Sequence, residues 1–105
     1  MAVRVGGDTF EAEVLNAEGV ILADFYSDSC VPCKRLSPVL AEVEEEYSDY
    51  AKLVKININF DMELAEKYGI LSVPTVVFFR NGEEISRLNG SIKKDEIVSA
   101  IENLK

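Results

Sequence analysis

Val20-Ile21-Leu22-Ala23-Asp24-Phe25-Tyr26 runs, through Ser27-Asp28-Ser29, into Cys30-Val31-Pro32-Cys33, the only two cysteines of the chain. The apolar run reads as a strand of the kind covered on both faces in parallel sheets. Beyond it, Leu36, Val39, Leu40, Val43 and Tyr47 fall at helical spacing and predict a helix to about Ser48, with Pro38 inside it. The cysteines thus stand at a strand-to-helix junction, where open α/β sheets place their sites. Backbone N–H groups at a helix start lack intrahelical partners and carry partial positive charge, which favours a thiolate on Cys30 over the thiol. Cys30 is the candidate attacking sulfur. Two intervening residues let the sulfur of Cys33 fold back on the first, which makes it the candidate resolving sulfur and the pair a dithiol redox centre.

Asp24 is the anomaly of the strand. An ionised, unpaired carboxylate there costs on the order of several kcal/mol, so burial pushes its pKa upward. An aspartate at a strand end beside solvent or a donor is the plain alternative. The neighbouring cysteines favour the other reading, in which Asp24 takes the proton of Cys33 as a general base.

Outward from this stretch, Val3 and Val5 suit a short edge strand. Asp8-Thr9-Phe10-Glu11 predicts a helix start capped by Asp8, with Phe10 and Val14 as its apolar stripe. After the long helix, Val54, Ile56 and Ile58 alternate with polar residues and predict a strand with one apolar face; Lys55 lies in it, and spacing alone does not place it near Asp24. A short helix is expected over Asp61 to Tyr68, ended by Gly69. Val76 to Phe79 reads as a strand turned by Asn81-Gly82 into a hairpin. Ile97, Ala100, Ile101 and Leu104 predict a closing helix over Lys93 to Leu104. The order βαβαβαββα describes an α/β fold, a central mixed sheet with helices on both faces, as one domain over residues 1–105.

Composition narrows the function. With 11 basic against 19 acidic side chains, a net charge of −8 and no basic stripe, nucleic acid is not an expected partner. Met1 to Asp8 shows neither a basic segment followed by an apolar one nor a cleavage signal, and no apolar run reaches membrane-spanning length, so a cytoplasmic protein without membrane partners is expected. In a reducing compartment a lone CxxC favours redox cycling over structural bracing. The run Glu42, Glu44, Glu45, Glu46 reads as the wet face of a helix.

Taken together, Ala23-Asp24-Phe25-Tyr26, Cys30-Val31-Pro32-Cys33-Lys34, Pro38, Lys67-Tyr68-Gly69-Ile70, Val73-Pro74-Thr75 and Asn81-Gly82-Glu83 with Gly90 resemble the bacterial-type thioredoxin family over essentially the whole chain. The resemblance implies a thioredoxin fold and a protein-disulfide reductase, recharged by a thioredoxin reductase or equivalent donor; a monomer without a cofactor or metal is expected. It implies that Cys30 attacks target disulfides, Cys33 resolves the mixed disulfide, Asp24 accepts the proton and Lys55 is the lysine beside it. It also implies a cis bond before Pro74, with Val73 and Pro74 facing the cysteines and meeting substrate backbone, and Gly90 near the substrate groove. The family motif is Trp-Cys-Gly-Pro-Cys after a Phe-Trp strand end. Here Tyr26 and Ser29 stand for the tryptophans and Val31 for the glycine; these three, which set this chain apart, and Pro32, which the motif shares, are expected docking positions. Three other readings are weighed against the reductase: a disulfide oxidant or isomerase of the same fold, disfavoured by Pro32 and the absence of histidine; a non-catalytic binding module; and a metal or iron–sulfur site, for which two thiolates supply half a shell.

Overall fold

The computed structural model of the protein describes residues 3–104, and the backbone alone of Val3; Met1, Ala2 and Lys105, the ends of the expected domain, lie outside the described residues. The strands are β1 (Val3–Arg4), β2 (Val20–Tyr26), β3 (Ala51–Asn57), β4 (Thr75–Arg80) and β5 (Glu83–Asn89). The helices are α1 (Val31–Glu46), α2 (Met62–Lys67) and α3 (Lys94–Asn103). The strands form one sheet in the order β1-β3-β2-β4-β5. β1, β3 and β2 are parallel, while β4 and β5 run antiparallel to their neighbours. This is the expected mixed α/β sheet of the thioredoxin fold.

Alternation along β2 sends its side chains to two cores. Val20 and Leu22 join Leu36, Leu40 and Val43 of α1 and Ile97 and Ile101 of α3 on one face. Ile21, Ala23 and Phe25 join Phe10, Val14, Leu64 and Phe79 on the other, where Phe10, Tyr68 and Phe79 form a ring cluster with centroids 5.3 to 5.8 Å apart. By the same alternation Asp24 points to the side of Val20 and Leu22, toward α1.

Two expectations are corrected. The segment after Gly7 does not form a helix capped by Asp8; it makes one π-helical turn, Glu11–Leu15, preceded by Phe10 and closed by the Asn16 N–H on the Glu11 carbonyl at 2.7 Å. The Thr9 hydroxyl, rather than Asp8, accepts the Gly6 N–H at 3.1 Å. Phe10 and Val14 are buried as expected, so the apolar stripe survives although the helix geometry does not. Strand β3 is longer than the alternation suggested and apolar on both faces, with Ala51 and Leu53 in one core and Val54 and Ile56 in the other. Its place between β1 and β2, under helices on both sides, requires this. The glutamate run behaves as a helix surface: Glu42 and Glu46 both bind Lys94 and so tie α1 to α3.

The hairpin tip is more than a turn. Asn81 and Gly82 both have positive φ, 51° and 85°, as the two-residue turn demands. Asn81 also clamps the entry of β2, its N–H donating to the Gly19 carbonyl at 3.2 Å and its Oδ1 accepting the Gly19 N–H at 3.0 Å. A Cβ on Gly82 would stand 2.5 Å from the Leu15 carbonyl oxygen. Gly82→Ala therefore combines a left-handed backbone with a backbone clash, and is expected to cost about 2 kcal/mol or more in urea unfolding. A loss below about 0.5 kcal/mol would mean that the turn is not held against Leu15.

Candidate active site

Helix α1 begins at Val31, and Cys30 stands just before it as the N-cap, with extended backbone (φ −90°, ψ 108°). The cap's usual task, accepting one of the unpaired N–H groups of the first turn, falls to a sulfur: the Cys33 N–H donates to Cys30 Sγ at 3.1 Å. Pro32 occupies the first turn, where its missing N–H leaves no bond unmade. Cys30 and Cys33 are joined as a disulfide, with their Cα atoms 5.2 Å apart. Exposure barely separates the two sulfurs, Cys30 being 9% and Cys33 5% exposed. What separates them is the helix end, whose N–H is aimed at Cys30.

Across from the sulfur, Cys30 Sγ lies 3.7 Å from the Val73 carbonyl oxygen, and the Val73–Pro74 bond is cis. The Gly90 N–H donates to the Pro74 carbonyl at 3.3 Å, which fixes the loop after β5 beside the proline. Ser29 and Val31, two of the three positions that differ from the family motif, are exposed next to Cys30, Val31 at 57%. Tyr26 is half-buried under Lys55, whose Nζ stands 5.6 Å from the ring centroid.

Beneath the disulfide is a cavity of about 160 Å³ lined by Asp24, Tyr26, Asp28, Cys33, Ser37 and Lys55, among others. Parallel pairing places Asp24 opposite Lys55 on β3, and Cys33 and Ser37, one turn apart on α1, close the space from above. Asp24 is 2% exposed and its Oδ1 has no hydrogen-bond partner among the described residues. Burial pushes its carboxyl up to about 6, against the pull of the Lys55 charge. The Lys55 ammonium donates to Ser37 Oγ at 2.8 Å, so it is held at the cavity wall instead of pairing with the carboxylate. The site can accordingly store a thiolate at Cys30 and a proton below Cys33.

The sequence model of the Thioredoxin family matches residues 2–103. The chain is 37% identical to the thioredoxin of Rickettsia bellii over 103 residues, covering 98% of each protein. It is 39% identical to the thioredoxin of Bacillus subtilis over 95 residues, 90% of this chain and 89% of the relative. With the thioredoxin of Pyropia yezoensis it shares 38% over 98 residues, 93% and 92% of the two chains. The chain belongs to the thioredoxin family. As a thioredoxin-family protein it is a thiol–disulfide oxidoreductase, and its Cys30–Cys33 pair fits a dithiol–disulfide protein reductase that works in electron transport.

The fold brings together Cys30, Cys33, Asp24, Lys55, Val73 and Pro74, with Gly90 beside them. Sequence reasoning missed the positioning contacts of Asp28 and of Lys55. Asn57 Nδ2 donates to Asp28 Oδ1 at 3.0 Å, and Asn59 Oδ1 accepts the Asp28 N–H at 3.1 Å. These bonds anchor the loop ahead of Cys30 to the end of β3. Ser37 holds Lys55. The signal for both was the pairing of Asp24 with Lys55: once that register is drawn, Tyr26 falls opposite Asn57 and the loop ahead of Cys30 meets the end of β3.

Proposed function

We propose that this chain is a general protein-disulfide reductase acting as a single domain and a monomer in the cytoplasm, and that its site residues act as follows. The Cys30 thiolate attacks a target disulfide; a bond forms between Cys30 and one target sulfur, and the other target sulfur leaves as a thiolate. Cys33 gives its proton to Asp24 and attacks Cys30 Sγ, releasing the second target sulfur and closing the Cys30–Cys33 disulfide. Two electrons pass to the target, and a thioredoxin reductase or equivalent dithiol donor returns them. Lys55 tunes the charge beside Asp24. Tyr26, Ser29, Val31, Pro32, Val73, Pro74 and Gly90 meet the target, the cis proline presenting the Val73 carbonyl to its backbone. The acidic net charge argues against a nucleic-acid partner, and no helix among the described residues is long and apolar enough to cross a membrane.

The observation that carries the reading is a cysteine serving as helix N-cap, with the Cys33 N–H on its sulfur, while Cys33 and the buried carboxyl group of Asp24 line one cavity. Insulin reduction with dithiothreitol, together with a redox titration of the cysteine pair, tests it. Turnover is expected, with a potential near the value general to thioredoxin, about −270 mV. A potential near that of strong periplasmic oxidants, about −120 mV, would point to an oxidant instead.

A further inference from the structure

Beside the cysteines runs a groove of about 250 Å³ that passes between Pro32 and Pro74 and is walled by Leu36, Val39 and Ile92. Two charged side chains line it, Arg35 on α1 and Lys93 at the N-cap of α3; both are cations and both are exposed. In a chain with 19 acidic and 11 basic side chains, a groove lined by cations alone runs against the composition.

Folding does not account for either charge. Lys94, the neighbour of Lys93, binds Glu42 and Glu46 and so joins two helices, whereas no ion pair among the described residues engages Arg35 or Lys93. Lys93 stands at a helix N-terminus, where the helix dipole disfavours positive charge, and Arg35 lies just past the first turn of α1. Lys93 also occupies a cap position at which serine, threonine, aspartate or asparagine stabilises the helix. The first turn of α3 also carries Asp95 and Glu96, which offset part of the Lys93 charge, and the Lys93 backbone N–H donates to Glu96 Oε1 at 3.0 Å. The first turn of α1 has no acidic residue at all. One groove thus carries two cations without an ion-pair partner among the described residues, one of them at an unfavourable cap position, a departure from local rules of the kind expected where a ligand repays it.

We infer that this groove selects target segments that carry aspartate or glutamate close to the disulfide cysteine, with Arg35 and Lys93 pairing with those carboxylates. The inference rests on the reductase reading and adds its substrate class. Because the chain as a whole repels an acidic partner, the preference acts at short range and weakens with salt.

Two disulfide-bonded peptides of equal length, one with glutamate and the other with lysine flanking each cysteine, test this. Each rate of reduction by the reduced protein is divided by the rate with dithiothreitol, which removes the peptide's own reactivity. The expected result at low salt is a preference of about three- to tenfold for the glutamate peptide, shrinking at high salt and falling to one or below in a double variant, Arg35→Gln with Lys93→Gln. Equal normalised rates in the unaltered protein, or a preference that persists in the double variant, would overturn the substrate class alone. Failure to reduce either peptide would overturn the reductase reading on which it rests.

Discussion

Replacing Cys33 with serine is expected to turn the chain from a catalyst into a trap. On the proposed assignment the Cys30 thiolate still forms, because the N–H that stabilises it belongs to the backbone of residue 33 and survives the substitution. The variant attacks a target disulfide and then stops, since no second sulfur is present to release the target. Insulin turnover should fall by about 10³-fold or more, the scale of loss when one member of a nucleophilic unit is removed. A covalent adduct with the target should accumulate, visible as a mass shift reversed by dithiothreitol. The companion Cys30→Ser should lose turnover equally and form far less adduct, because its remaining sulfur lies inside the helix without an N-terminal N–H aimed at it. The two sulfurs differ little in exposure, so an adduct that forms instead on Cys30→Ser would reverse the assignment of attacker and resolver.

Asp24→Asn is expected to stabilise the protein while slowing it. The carboxyl is raised to about 6 in the fold from 3.8, and the direction of the effect follows from proton counting. Below about pH 4 both folded and unfolded chains hold the proton, and Asp24 costs nothing. Between about 4 and 6 the unfolded chain releases its proton while the folded chain keeps it, so stability falls as pH rises. Above about 6 the deficit is constant, and a gap of 6 − 3.8 = 2.2 pH units corresponds to about 3 kcal/mol. Asparagine fits the same space without the charge. Urea unfolding of the oxidised protein should therefore show the variant more stable by about 3 kcal/mol at pH 7, with the difference vanishing near pH 4. Release of the target from the mixed disulfide should slow by about 10²-fold, the low end for loss of a positioned general base, because a thiol needs less help than a hydroxyl. Parallel stability curves for the two proteins would show that Asp24 is not desolvated. An unchanged release rate would remove it from the chemistry and leave it a structural residue.

These two results bear on one economy of design. The same burial that lets Asp24 hold a proton near neutral pH makes the folded state less stable there, and the unpartnered Oδ1 is its visible sign. Lys55, held off by Ser37, limits the cost without neutralising the carboxylate outright.

Much of this protein follows from its sequence by itself. The Val20–Tyr26 run, the helical spacing from Leu36 to Tyr47 and the Asn81-Gly82 turn are local patterns, and local periodicity and turn chemistry determine them before any long-range contact forms. The place of Cys30 at a helix start, and the cost of a carboxylate at Asp24, are legible for the same reason. Tertiary structure decided what depends on register between elements distant in the chain. Lys55 faces Asp24 because β2 and β3 pair in parallel at that register, and the second apolar face of β3 exists because other elements cover it. Thr9 and Asn16, not Asp8, close the first turn, since Phe10 and Val14 are held by the core whatever the local helix geometry. Arg35 and Lys93 line one groove only because α1 and α3 pack on the same face of the sheet. A one-dimensional pattern reports which face a side chain takes; which side chains then meet across the fold is set by packing.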